Sequence, residues 1–198
     1  MDLQGEQLRL RPWKRGDEEA LVRHANDREI WRNLTDRFPH PYTRADADAW
    51  ISLGVSREGP PGNFAVILDN EPVGSVGYEA KGDIYSRTAE VGYWIARAFQ
   101  GRGLATEALS LLTTHLFARF PFVRIEASVI DWNPASCRVL EKAGYTFESR
   151  QRARVFKDGR IADALIYVRF RDGYGPSAES DEPPTAGPDG TPERPAAP

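Results

Sequence analysis

Glu90-Val91-Gly92-Tyr93-Trp94-Ile95-Ala96, then Gln100-Gly101-Arg102-Gly103-Leu104-Ala105, then Thr106-Glu107-Ala108-Leu109: the fold turns on this run. Its first part is a short, mostly apolar strand. Its last part opens a helix that places Leu104, Ala108, Leu111, Leu112 and Leu116 on one face at helical spacing. Between them, glycines at 101 and 103 let the backbone approach a ligand with no Cβ in the way. The first N–H groups of the helix have no intrahelical partners and sit at the positive end of its dipole. Together these features make an anion site, most naturally for phosphate, and Arg102 would add a charge-assisted contact. The loop has neither the Lys-Ser/Thr ending of a P-loop nor the three-glycine spacing of a dinucleotide fingerprint. Taken alone, it also fits a tight turn between two core elements.

The chain has 198 residues and a formal charge of −3. That length suits one domain with a sizeable core plus ends. The charge gives no overall pull towards nucleic acid or an anionic membrane, and neither is expected as a partner. Apolar runs are too short to span a bilayer. Met1-Asp2-Leu3-Gln4-Gly5-Glu6 lacks the basic start and apolar stretch of a signal peptide. One cysteine, Cys137, excludes an intramolecular disulfide framework. A cytoplasmic location is the expectation.

Outward from the loop, Leu8 to Trp13 alternates as a strand, and helices follow after Gly16 and around Ile30 to Leu34. Phe38 to Tyr42 must be irregular because of its prolines. A third helix runs from Thr43 to about Glu58. Strands at 63–68 and 73–79 form a hairpin through residues 69–72. After the glycine loop and its helix comes a strand at 123–130. A short helix at 135–143 follows, with Asn133 as N-cap, Pro134 at its first position and Gly144 past its end. A last hairpin, 145–156 and 161–170, turns on Asp158-Gly159. From Asp172 onward, seven of 27 residues are proline. Without apolar residues to bury, 172–198 reads as a disordered tail behind a domain at 1–171.

Gln100-x-x-Gly103-x-Ala105 between such a strand and such a helix resembles the pyrophosphate loop of the GNAT acetyltransferase superfamily. Ala89-Glu90-Val91-Gly92-Tyr93-Trp94 supports this, as does the run Asn133-Pro134-Ala135-Ser136-Cys137-Arg138 to Gly144-Tyr145. Together they are similar to the branch that includes ribosomal-protein N-terminal-amine acetyltransferases. The resemblance implies an α+β GNAT fold: a mixed, mostly antiparallel seven-stranded sheet, flanked by about four helices and splayed in the middle. It also implies acetyl transfer from acetyl-CoA, without a metal or a covalent enzyme intermediate, to a primary amine. The acceptor is a protein or peptide N-terminus or a small amine. A non-catalytic acyl-CoA-binding or sensing module is the alternative from another class. Homodimerisation through a sheet edge, common in the superfamily, stays open.

Carried onto this chain, the resemblance assigns roles residue by residue. The pantetheine arm would pair with the backbone of Tyr93, Trp94 and Ile95. The pyrophosphate would rest on N–H groups of Gln100, Gly101, Arg102, Gly103, Leu104 and Ala105, reaching Thr106. Asn133 would cap its helix, hydrogen-bond the pantetheine arm, or do both. Ser136, one turn along, would give a proton or hydrogen bond to the departing sulfur; an ordinary first-turn serine is the plain alternative. Alternation puts Glu90, Gly92 and Trp94 on one face of their strand. Glu90 is therefore the candidate base, unless it only pairs with Arg87 or Arg124. Trp31, Phe38, His40 and Tyr42 fall in the segment that lines the acceptor cleft in relatives. The basic run Arg150-Gln151-Arg152-Ala153-Arg154 hints at an acceptor with a negative group. His24, His40 and His115 share no metal-ligand spacing.

Overall fold

A computed structural model describes residues 2–56 and 59–175; the expected tail lies outside them from residue 176 on. In chain order the elements are β1 (Leu3–Gln4), β2 (Arg9–Pro12), α1 (Glu18–Ala25), α2 (Arg28–Trp31), α3 (Arg44–Ser56), β3 (Asn63–Leu68) and β4 (Glu71–Ala80). Then come β5 (Thr88–Ile95), α4 (Leu104–Arg119), β6 (Arg124–Ile130), α5 (Pro134–Lys142), β7 (Thr146–Lys157) and β8 (Arg160–Phe170). The strands form one sheet in the order β1-β2-β3-β4-β5-β6-β8-β7. That is eight strands where seven are expected, because the two-residue β1 pairs with Arg9 and Leu10. Among the described residues the helices number five rather than about four, because the piece expected around Ile30 to Leu34 stands as its own single turn, α2, where Asp27 accepts from the Glu29 N–H.

The first hairpin turns tighter than the prolines suggest. Asp69 and Asn70 both adopt positive φ, as a two-residue primed turn demands, so β4 already begins at Glu71. Pro72 enters the ladder beside a register shift at Val66/Ile67, where a missing N–H is tolerated. Asp158 and Gly159 make the second such turn.

Strand alternation splits the core between the two faces of the sheet. From β3, Phe64, Val66 and Leu68 pack with Leu104, Ala108, Leu112 and Leu116 of α4 and Leu140 of α5. Ala65 and Ile67 point the other way, to Leu21 and Ala25 of α1 and Ala47 and Ile51 of α3. Leu109 is fully buried on α4, whereas Leu111 only packs at the margin of the core. In β5, Ala89, Val91 and Ile95 join the α4 side and Trp94 packs on the α1–α3 side.

One irregularity positions everything that follows. β5 and β6 are the parallel pair, with α4 as their crossover, and they pair only at Thr88↔Arg124, Ala89↔Ile125 and Glu90↔Glu126. Beyond that they part. Val91–Ile95 stays on β4 and Ala127–Ile130 stays on β8, so two backbone edges face each other across a gap. The expected splay is present.

Candidate active site

The glycine loop ends at the head of this gap. Gly101 and Gly103 sit at φ +78° and +84°, and a Cβ built on either meets nothing within 4 Å. Gly103 is the N-cap of α4 and supplies no side-chain cap. The N–H groups of residues 101–106 find no backbone acceptor among the described residues. Open space above a row of free donors at a positive helix end fits a pyrophosphate group. Gln100 plays a different part from its neighbours: its N–H already donates to Arg97 O and its amide to Ile95 O, tying the loop to the end of β5.

Across the gap, Asn133 Oδ1 accepts from the Ser136 N–H at 3.2 Å, the N-cap expected from sequence. Ser136 sits in the first turn of α5, and its Oγ lies 2.8 Å from the Tyr93 hydroxyl. Burial holds the Tyr93 phenol well above its ordinary pKa, so it stays protonated. Cys137 is half-buried, with its Sγ 3.7 Å from Asn133 O.

Two cavities meet here. One, of about 770 Å³, runs along the glycine loop, the open edges of β5 and β6, and α5. It is lined by Tyr93, Trp94, Ile95, Gln100, Gly101, Gly103, Leu104, Ala105, Thr106, Asn133 and Ser136, eleven of the residues assigned from sequence. Arg102 lies outside this lining. Arg138 and Lys142 of α5 belong to it, and among the described residues neither has a salt bridge. Sequence reasoning passed them over, although residues 135, 138, 139 and 142 form one helical stripe that could have found them.

The second cavity, of about 1070 Å³, lies on the α1–α3 side and includes Phe38, Tyr42, Trp50, Tyr78, Trp94 and Glu90 in its lining. Among the described residues, only Leu34, Val91, Tyr93 and Trp94 line both spaces. The expected acceptor residues therefore divide. Phe38 and Tyr42 wall this cavity, while Trp31 and His40 stack on each other outside it. Trp31 instead carries the Lys157 ammonium 4.0 Å above its ring, and Lys157 also bonds Asp36 at 2.6 Å. With Arg28 Nη2 donating to both carboxylate oxygens of Asp158, this clasps the β7–β8 turn to α2.

Glu90 lines this second cavity with its side chain 40% exposed. Its partner is Lys81, not Arg87 or Arg124; Lys81 also reaches Glu126, and Arg124 takes Glu126 and Glu148. The charged lining of the cavity is Asp46, Glu79 and Glu90 against Arg37 alone. Arg150 is held by Asp163 at 2.6 Å and Asp131 at 3.0 Å, so its charge is already met. The hint of an anionic acceptor loses its best residue.

A strand–glycine-loop–helix at the splay of a mixed sheet, with paired cavities, defines an acyltransferase of the acetyl-CoA-dependent kind. The chain matches the acetyltransferase (GNAT) domain model over residues 7–146, and it belongs to that family. It is 28% identical over 176 residues to an uncharacterized N-acetyltransferase, p20, of Bacillus licheniformis, covering 85% of this chain and 96% of that one. The ribosomal alpha-N-protein acetyltransferase RimL, solved with coenzyme A, superposes with a TM-score of 0.75 at 21% identity, covering 87% and 99% of the two chains. The microcin self-immunity acetyltransferase MccE, solved with acetyl-CoA and AMP, gives 0.72 at 20% identity, covering 84% and 94%. At such identities the two structures establish the shared fold.

Proposed function

We propose that this acetyltransferase moves the acetyl group of acetyl-CoA directly onto a primary amine, both substrates being bound together. The observation that carries this reading is the joint between the two cavities at Leu34, Val91, Tyr93 and Trp94. Donor and acceptor come from opposite sides and meet beside Ser136. Acetyl-CoA supplies an acyl group that is already activated, so the protein's work is positioning and proton handling.

The backbone of residues 101–106 holds the pyrophosphate and the free edge of β5 pairs with the pantetheine arm. Arg138 and Lys142, at the same cavity, meet the remaining phosphate charge. Glu90 takes the proton from the acceptor ammonium, directly or through water. Ser136 donates to the sulfur as the carbon–sulfur bond breaks. The aromatic wall, with three carboxylates against Arg37 and the Lys81 paired to Glu90, favours an acceptor that is cationic with an apolar flank, whether a peptide N-terminus or a small amine.

The test is acetyl-CoA-dependent thiol release with peptides of varied N-termini and a panel of small amines, hydrolysis subtracted and products confirmed by mass. Acetylation of cationic, apolar-flanked amines is expected. Preference for acidic acceptors would overturn the electrostatic reading.

A further inference from the structure

Ser136 has a partner that its assigned role does not explain. The Tyr93 hydroxyl, on β5, lies 2.8 Å from Ser136 Oγ and 3.2 Å from the Ser136 carbonyl oxygen, on the far side of the gap between β5 and β6. A phenol has one proton to give. The carbonyl lies inside α5, where the helical ladder already provides a donor, and its distance to the phenol is the longer of the two.

Two arrangements of the pair follow. In one, Ser136 donates to Tyr93 and Tyr93 to the carbonyl, which spends the serine proton within the protein. In the other, Tyr93 donates to Ser136 Oγ, and the serine O–H turns outward into the donor cavity. Only the second leaves a proton to offer to sulfur.

We propose that Tyr93 is a positioning residue: its phenol occupies the acceptor face of Ser136 Oγ and so directs the serine O–H at the coenzyme A sulfur. This rests on the reading of Ser136 given above. No proton leaves Tyr93 in the step. The nitrogen–carbon bond forms and the nitrogen gives up its remaining extra proton to water; the carbon–sulfur bond breaks, and the departing thiolate is stabilised by the hydrogen bond from Ser136. Burial of the phenol suits this role, since a group kept protonated is a permanent donor.

The test needs no acceptor. Coenzyme A is bound to the wild type, Ser136→Ala, Tyr93→Phe and the double variant, and the thiol of the bound ligand is titrated by thiolate absorbance. A hydrogen bond to the charged form lowers a pKa. The bound thiol is therefore expected roughly one pH unit lower in the wild type than in Ser136→Ala, with Tyr93→Phe close to Ser136→Ala and the double variant no different. A wild-type value in Tyr93→Phe, with Ser136→Ala raised, overturns the positioning role and leaves the serine reading standing. Equal values in the wild type and Ser136→Ala overturn both. Tyr93→Phe and Ser136→Ala shifts that add in the double variant also overturn the pairing. Thermal melting of Tyr93→Phe, expected within a few degrees of wild type because only one hydrogen-bonding hydroxyl is lost, separates this from a packing defect.

Discussion

A valine at position 103 would face two penalties, a left-handed backbone and an isopropyl group over the proposed phosphate cradle. Gly16 makes the control, because its φ of +99° and open surroundings reproduce the first penalty far from the cavity. Gly103→Val is expected to raise the acetyl-CoA dissociation constant at least about tenfold by calorimetry, since ligand contacts there are main-chain. Gly16→Val should leave it unchanged. Equal affinities in both variants would remove the phosphates from this loop. Asn133 separates in the same manner. Asn133→Asp keeps the acceptor for the Ser136 N–H and should melt like the wild type, whereas Asn133→Ala should lose about 1 kcal/mol. Both should bind acetyl-CoA more weakly if the side-chain amide touches the ligand. At this scale the site was legible where it is local: glycines at a strand–helix turn and an Asn-Pro helix start announce their geometry within a few residues. The Tyr93–Ser136 contact joins residues 43 apart, and no local pattern could have shown it.

The clasp between the β7–β8 turn and α2 was equally hidden, since Lys157 meets Asp36 across 121 positions. A lysine in a hairpin turn reads as solvated, yet this side chain is only 3% exposed, roofed by the Trp31 ring and held by Asp36. Trp31 is thereby used to hold the turn rather than to line the acceptor cavity. Lys157→Met should cost about 1 kcal/mol in urea unfolding through loss of the cation–π contact. Asp36→Ala should cost less, because that carboxylate is 77% exposed and its ion pair is screened. Longer elements were readable because periodicity and turn chemistry agree. The β3 strand falls at Asn63–Leu68, where it was expected, and Asp158-Gly159 makes its turn. The two-residue β1 has no period to read and exists only through its pairing with β2. The α2 turn, expected around Ile30 to Leu34, is set apart by its Asp27 cap rather than by an apolar stripe.

Over the molecule as a whole, stability should fall on the acid side in two stages. The His115 ring titrates below its ordinary 6.5, first because burial disfavours its charged form and then because Arg119 repels it. The unfolded chain therefore takes that proton first, and the stability it confers is lost as pH drops through 6.5. Glu148 titrates below its ordinary 4.5, chiefly through its hydrogen bonds from Arg124, so its contribution is present above 4.5 and disappears as the pH falls further. Melting temperatures measured from pH 8 to 3 should show both stages. His115→Gln should flatten the upper and Glu148→Gln lessen the lower, to which Asp46 and Asp163, also held below their ordinary values, contribute; unchanged profiles would remove His115 and Glu148 from the acid limb. On the proposed function, the four-residue joint between the cavities would also govern the traffic of a catalytic cycle. Each substrate would then have its own corridor and share only the joint, so neither would queue behind the other. Initial-rate lines should then intersect rather than run parallel. Free coenzyme A should compete with acetyl-CoA alone, and the acetylated amine with the acceptor alone, as though the enzyme kept separate doors for the two trades it brings together.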